Sequence, residues 1–334
     1  MSINLRVPDR TLDIPGLVFR PFRGEVDYPI MVDIMNQCNL HDDLDLIDTV
    51  EDIAVRFAHP VNYDPYQDVV FAEVNGKAVG YSHVWWGDEA GGERIYYLYW
   101  YLLPGWREHG IGEAMQVRCE QRIQQIASQH PNDMPRRMQT WAFDSEPYLS
   151  KVVEAAGFKQ VRYFYRMVRP IRLPLPEAPL PSGLEVRPVL PEHLRLIWNA
   201  KDEAFRDHWG YAQRGEEDYQ RWLEIPYYDR SLWKVAWDGD QIAGMVLNYV
   251  MAEENQRLNR RRGYTETIAV RRPWRRKGLA KALLVQSIEM FRHMGMEETA
   301  LGVDIENPNG ALKLYEGVGY EVKKIIYTYR KELD

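Results

Sequence analysis

Two short runs in this sequence have the residue types and spacing of an anion cradle. The first is Arg275-Arg276-Lys277-Gly278-Leu279-Ala280, preceded by a β-rich run at 264–270 and followed by apolar residues at helical spacing, Ala280, Leu284, Ile288 and Phe291. The second is Arg107-Glu108-His109-Gly110-Ile111-Gly112, which lies between a β-rich run at 95–103 and the stripe Ile111, Met115, Cys119 and Ile123. Each predicts a strand, a tight turn and a helix start. The first turn of a helix has N–H groups without partners and the positive end of the dipole, so an anion is favoured there. Glycine at 278, 110 and 112, with the small Ala280, would let a diphosphate approach the main chain. Arg271, Arg272, Arg275, Arg276 and Lys277 crowd cations at the wrong end of a helix dipole, a conflict that an anionic ligand would resolve. The alternative is a solvated basic turn.

The elements that must hold these turns repeat along the chain. Gly16-Leu17-Val18-Phe19-Arg20-Pro21 returns as Gly183-Leu184-Glu185-Val186-Arg187-Pro188, and hairpin dipeptides stand at Asn75-Gly76 and Asp238-Gly239. The proline-dense run from Arg169 to Pro181 reads as an extended linker. The expected organisation is therefore a first domain over 1–168, a linker over 169–182 and a second domain over 183–334. A length of 334 residues suits two domains, and 45% apolar residues with 11 Trp and 21 Tyr suit packed cores.

Downstream of each turn lies a second motif, Ala311-Leu312-Lys313-Leu314-Tyr315-Glu316-Gly317-Val318-Gly319-Tyr320 and, more loosely, residues 148–158 ending in Gly157-Phe158. The order strand, R-x-x-G-x-[GA], helix, strand, A-x-x-L-Y-x-x-x-G-[FY] resembles the GCN5-related N-acetyltransferases, the GNAT family. The resemblance is strong in the second half and moderate in the first. It is similar to the tandem layout of mycothiol synthase-like proteins. It implies an α/β fold (an α+β mixed sheet in each half), two tandem acyl-CoA N-acyltransferase domains, and acetyl-CoA as co-substrate.

The same resemblance implies the site. The base falls on the strand before the turn, at Glu266, and the acid in the A-x-x-L-Y motif, at Tyr315. Amide formation needs an ammonium to lose a proton and a departing thiolate to be stabilised, tasks that suit a carboxylate and a phenol. Strand alternation expects Glu266 and Val270 on one face. Cofactor contacts are expected at Ile268, Val270, Arg275, Arg276, Lys277, Gly278, Leu279, Ala280 and Asn307, with main-chain groups of Val270 toward the pantetheine. Their first-half counterparts are Leu102, Arg107, Gly110 and Gly112. Asp207, His208 and Trp209 fall where the family builds its acceptor wall. Aligned on the turn arginines, Glu266 stands opposite Leu98, and aligned on the terminal Gly-aromatic pairs, Tyr315 stands opposite Val153. The first domain is therefore expected to be non-catalytic.

Plainer readings stand beside these. A Glu in Thr265-Glu266-Thr267 suits a solvated strand face, Tyr315 suits a core aromatic, and a His next to a Trp suits a structural pair. An acyl-CoA-binding sensor and an interaction protein remain as alternatives to an enzyme. Two cysteines, Cys38 and Cys119, exclude a disulfide scaffold and a Cys-x-x-Cys metal site, and no metal is expected. A net charge of −7 argues against nucleic acid as the main partner. No secretory pattern or membrane-length apolar run is present, so a cytoplasmic protein acting on a small-molecule or peptide amine is expected.

Overall fold

The computed structural model describes residues 6–7, 10–11, 14–307 and 309–333. The first half of the sequence begins with β1 (Arg6–Val7), β2 (Arg10–Thr11), β3 (Leu17–Pro21), α1 (Tyr28–His41), α2 (Val50–Ala58), α3 (Pro65–Asp68) and β4 (Val69–Val74). It continues through β5 (Lys77–Glu89), β6 (Glu93–Leu102), α4 (Ile111–Ala127), β7 (Arg136–Phe143) and α5 (Pro147–Ala155) to β8 (Lys159–Pro170). The second begins with β9 (Glu185–Arg187), α6 (Leu194–Phe205), α7 (Glu216–Leu223), β10 (Lys234–Asp238), β11 (Gln241–Tyr249) and α8 (Ala252–Arg257). It ends with β12 (Arg262–Val270), α9 (Leu279–His293), β13 (Glu298–Asp304), α10 (Ala311–Val318) and β14 (Glu321–Glu332).

Where the sequence places boundaries at 168 and 183, the compact units are 1–162 with 326–334, and 163–325. Strand pairing explains the difference. Phe164–Pro170 of β8 pairs antiparallel with β13 in the second unit, whereas Ile326–Glu332 of β14 pairs antiparallel with β7 in the first. Each unit is thus completed by a strand arriving from the other half of the sequence, which no local pattern announces. Pairing runs β3-β4-β5-β6-β7-β14 in the first unit and β8-β13-β12-β11-β10-β9 in the second. Every pair is antiparallel except β6 with β7 and β12 with β13.

The run expected to be an extended linker is held down. Arg169, fully buried, pairs with Thr299 of β13. Its guanidinium donates to the carbonyls of Val318 at 2.7 Å, Pro170 at 2.8 Å, Leu173 at 2.9 Å and Pro174 at 2.8 Å. Carbonyls that proline leaves without ladder partners thereby meet the five-donor fork of one arginine. The N–H of Ile171 donates to Glu297 O at 2.8 Å, and Arg292 donates to Ile171 O at 3.0 Å. The strap belongs to the second unit.

The parallel pairs need crossover helices, and α4 and α9 supply them. Ile111, Met115, Cys119 and Ile123 of α4 are buried as the stripe expects. In α9 the stripe is Leu279, Leu283, Leu284, Ile288 and Phe291, with Leu279 deeper than Ala280. Phe291 packs where Gly263 of β12 has no side chain; a Cβ there would lie 2.5 Å from the ring. Truncating such a ring to Ala typically costs about 3–5 kcal/mol. The Asn75-Gly76 hairpin has both residues at positive φ, 52° and 77°, the two-residue turn that fits strand twist. Its counterpart is displaced by one residue: Asp238 pairs with Gln241, so Gly239-Asp240 forms the loop and the Asp238 carboxylate accepts from Trp274 Nε1 at 2.9 Å.

Candidate active site

The parallel pairing of β12 with β13 is short. It runs from Arg262 with Glu298 to Tyr264 with Ala300, after which β12 continues to Val270 without that neighbour. The strands therefore part beyond Tyr264. Where they part, β12 carries a bulge: Met245 of β11 faces Ala269 but Leu247 faces Glu266, so three residues of β12 span two of β11. Thr267 takes up the extra length at φ 47°, a conformation costly for a β-branched residue.

The bulge reverses the alternation expected from sequence. Val270 is the register partner of Gly244 and packs with Leu279 and Leu283 on the α9 side. Glu266 is the partner of Leu247, which packs with Ile197 and Trp198 on the α6 side. Glu266 and Val270 thus lie on opposite faces of the sheet. Ile268 packs on the α9 side, among the clusters that contain Leu284 and Leu279. The Val270 carbonyl, expected to face a ligand, accepts from Arg275 Nε at 2.9 Å. Main chain outside the regular ladder lies at the bulge instead, at 267–268.

Burial raises the Glu266 carboxyl to about 7, against the opposing pull of Arg166 and of a main-chain hydrogen bond at Gly302. Such a group exchanges protons near neutrality, as a general base must. Tyr315 is buried on α10, and its phenol is pushed well up, first by burial and then by the charge of Glu266. It remains a proton donor at neutral pH. Glu266 also raises Tyr228 to about 12 after burial, so one carboxylate acts on both phenols from the mouth of the parted strands.

The second turn has the predicted form. Gly278 caps α9 at φ 84° with Arg276 at φ 61°, and no side chain caps the helix. Leu279 is buried, Ala280 is half-buried, and Arg276, Lys277 and Gly278 are exposed. Open space surrounds a notional Cβ on Gly278, so it is the backbone angle that requires glycine there. Arg275 is a brace: besides Val270 O, it donates to Asp207 at 2.6 Å and to Ala204 O at 3.0 Å. Asp207, expected to meet the acceptor, is held instead by Arg275 and Arg272, whose hydrogen bonds hold its carboxyl well below the usual range. Asn307 accepts from the Asn309 N–H at 2.8 Å and shapes the turn before α10.

His208 and Trp209 line the face that carries Glu266. Trp209 meets Phe164 of β8 with ring centroids 6.4 Å apart. His208 lies 4.4 Å from Phe205 by ring centroid, and burial lowers its pKa, against the field of Asp304.

The first unit copies the turn and closes it. Arg107 donates bidentately to Asp42 at 2.6 Å and through Nε to Leu102 O at 3.2 Å, the counterpart of the Arg275 brace. Gly110 has φ 82° and Glu108 φ 72°. The space left by Gly112, expected to admit a diphosphate, is filled: a Cβ there would collide with the phenol oxygen of Tyr148 and approach Cζ to 3.1 Å. Tyr148 donates to Glu113 at 3.3 Å. Burial and Glu113 raise its phenol while the main chain at Glu108 and Gly112 pulls it down, as donors facing the oxygen would. Tyr148 is the second residue of α5, and the equivalent end of α10 carries Gly310 with open space around it. No bulge interrupts β5 with β6, which pair in continuous register from Gly80 with Leu102 to Glu89 with Glu93. Leu98 and Val153, opposite Glu266 and Tyr315, are both core residues.

Sequence reasoning missed the bulge, the Tyr148 plug and Arg166. A Thr at positive φ has no compositional signal, and the other two depend on pairings between distant segments. Among the described residues no cluster could hold a metal and no helix is long and apolar enough to cross a membrane.

The profile of the acetyltransferase (GNAT) family matches residues 195–320. A mycothiol acetyltransferase of Salinispora tropica is 26% identical over 261 residues, covering 77% of this chain and 78% of that protein. One of Salinispora arenicola is 24% identical over 299 residues, covering 88% and 91%. A solved GCN5-related N-acetyltransferase from Sphaerobacter thermophilus aligns with a TM-score of 0.68 at 25% identity, over 95% of this chain and 96% of that one. A tandem GNAT protein from the clavulanic acid biosynthesis pathway shares the fold, with a TM-score of 0.65 at 15% identity over 95% and 98%. By its motifs, its parted strands and these likenesses, residues 195–320 carry an acetyltransferase (GNAT) domain, and the chain is an acyltransferase similar over most of its length to mycothiol acetyltransferases.

Proposed function

We propose that the second unit transfers an acetyl group from acetyl-CoA to an amine, by direct attack with both substrates bound, and that the first unit has no catalytic role. The observation that carries this reading is Glu266, a half-buried carboxyl with a pKa of about 7 at the opening between β12 and β13, in electrostatic contact with the protonated phenol of Tyr315.

Acetyl-CoA fits the residues present. The uncapped start of α9, with Gly278 at φ 84° and exposed Arg276 and Lys277, suits a diphosphate. Main chain at the Thr267 bulge suits the amides of the pantetheine arm. The co-substrate supplies an acetyl group activated as a thioester. Glu266 takes a proton from the acceptor ammonium, freeing its lone pair, and Tyr315 gives its proton to the departing sulfur. Arg275, tied to Asp207 and Val270, keeps the turn in shape. The second unit contains no cysteine, which favours direct transfer over an acyl-enzyme. The mycothiol acetyltransferases among its relatives make small-molecule amines the first acceptors to try.

The test is mass spectrometry of a metabolite extract incubated with the protein and isotopically labelled acetyl-CoA. A labelled N-acetyl product formed by the unaltered protein and reduced at least about a hundredfold by Glu266→Gln supports the reading. Binding of acetyl-CoA with no labelled product would leave a sensor instead.

A further inference from the structure

The face of the second unit that carries Glu266 also carries an arginine with no fixed partner among the described residues. Arg166 of β8 is the register partner of Gly302 in β13, so the two lie side by side on one face. A Cβ on Gly302 would lie 3.8 Å from Oε1 of Glu266, which puts the carboxyl over the same spot. Glu266, Gly302 and Arg166 therefore form a row across three strands, and the missing side chain at 302 leaves a gap between the carboxyl and the guanidinium. Phe164, two residues before Arg166, presents its ring to Trp209 at the edge of this gap.

The neighbouring arginines are engaged. Arg169 donates to four carbonyls, Arg262 donates to Glu298 at 2.7 Å, Arg260 pairs with Glu254 at 2.6 Å, and Arg275 pairs with Asp207. Arg166 is half-buried, and among the described residues no hydrogen bond or ion pair holds its guanidinium. Its field does reach Glu266 and Tyr249. A partly desolvated cation facing a cleft gains most from an anion that arrives with the ligand.

We propose that Arg166 binds an anionic group of the acceptor, which is therefore an amine that also carries a carboxylate or a phosphate. The amine occupies the Glu266 side of the gap at Gly302 and the anion occupies the Arg166 side. The inference rests on the reading of Glu266 as the base.

Matched acceptors test it: serine against serinamide for a carboxylate, and O-phosphoethanolamine against ethanolamine or glucosamine 6-phosphate against glucosamine for a phosphate. With acetyl-CoA, the anionic member of an accepted pair should have a KM lower by about tenfold to a hundredfold, the usual worth of a charge-assisted hydrogen bond. Arg166→Gln should bring the ratio within each pair close to one, and Arg166→Lys should restore part of it. Equal or better use of the neutral members, or a pair ratio unchanged by Arg166→Gln, overturns the proposal. A second readout needs no turnover: a carbon-13 carboxyl titration of Glu266 should move upward in Arg166→Gln, and no movement would remove Arg166 from the site. Transfer without an anionic preference sinks this inference alone, whereas no transfer to any amine sinks the function proposed above.

Discussion

The phenol of Tyr148 occupies the space that a side chain on Gly112 would need. An anion cradle that should admit a diphosphate thus holds a ligand from its own chain, while the equivalent end of α10 carries Gly310 with open space around it. The consequence is stoichiometric. Calorimetry should find one equivalent of acetyl-CoA per chain. Gly278→Glu should abolish binding, because it puts a carboxylate at the phosphate position and a side chain at φ 84°, where a Cβ costs roughly 1–2 kcal/mol. Gly110→Glu should leave binding intact. Loss of binding from the Gly110 change alone would reverse the assignment of the two units.

The raised pKa of Glu266 gives a pH dependence of known sign. Below about 7 the folded protein holds this carboxyl protonated, so the proposed base cannot accept a proton. kcat/KM should therefore climb about tenfold per pH unit toward 7 and level off above it, and Glu266→Gln should lose that limb. Stability moves the other way. The unfolded chain ionises this group near 4.5 and the folded chain only near 7, so the folded state binds the extra proton in that window and is weakened as pH rises through it. Glu266→Gln should flatten that slope in denaturant titrations from pH 4.5 to 7. A slope unchanged by the substitution would mean that Glu266 ionises normally.

Much of this site could be read from local pattern. The turn at 275–280, the α4 and α9 stripes and the A-x-x-L-Y helix each depend on neighbours within a dozen residues, and each stands where expected except that the α9 stripe begins at Leu279 rather than Ala280. What the sequence did not disclose depends on distant segments. Arg169 looked like the start of a linker because its partners are carbonyls of later prolines and of Val318. Asp207 looked like an acceptor ligand because nothing local reveals its pairing with Arg272 and Arg275. The opposite facing of Glu266 and Val270 was misread because strand alternation assumes an unbroken ladder, and one residue at Thr267 inverts everything after it.

Arg169 offers a test of the strap. Replacing it with Met keeps apolar bulk but strands the carbonyls of Val318, Pro170, Leu173 and Pro174 without their donor. The loss should be about 3–5 kcal/mol in the unfolding of the second unit, the range for leaving buried polar partners uncompensated. Arg292→Met, which removes bonds at the rim of the same strap, should cost about 1 kcal/mol. Equal small effects for both would show that the strap is not held by Arg169.

The division of labour between the units makes the last prediction. Tyr315→Phe removes a phenol that burial and Glu266 keep protonated, so it should lower kcat by about a hundredfold or more with little change in acetyl-CoA affinity. Combined with Glu266→Gln it removes both proposed proton-transfer groups from the second unit while leaving the first untouched. The first unit has buried Leu98 and Val153 at the matching places, no bulge in β6 and Tyr148 in its turn. On the proposed reading it therefore offers no base at the Glu266 position, no acid at the Tyr315 position and no room for the diphosphate beside Gly112. Acetyl transfer by the double variant should fall to the uncatalysed background in a single-turnover assay. Residual transfer that Tyr148→Ala then increases would reveal a second active centre in the first unit.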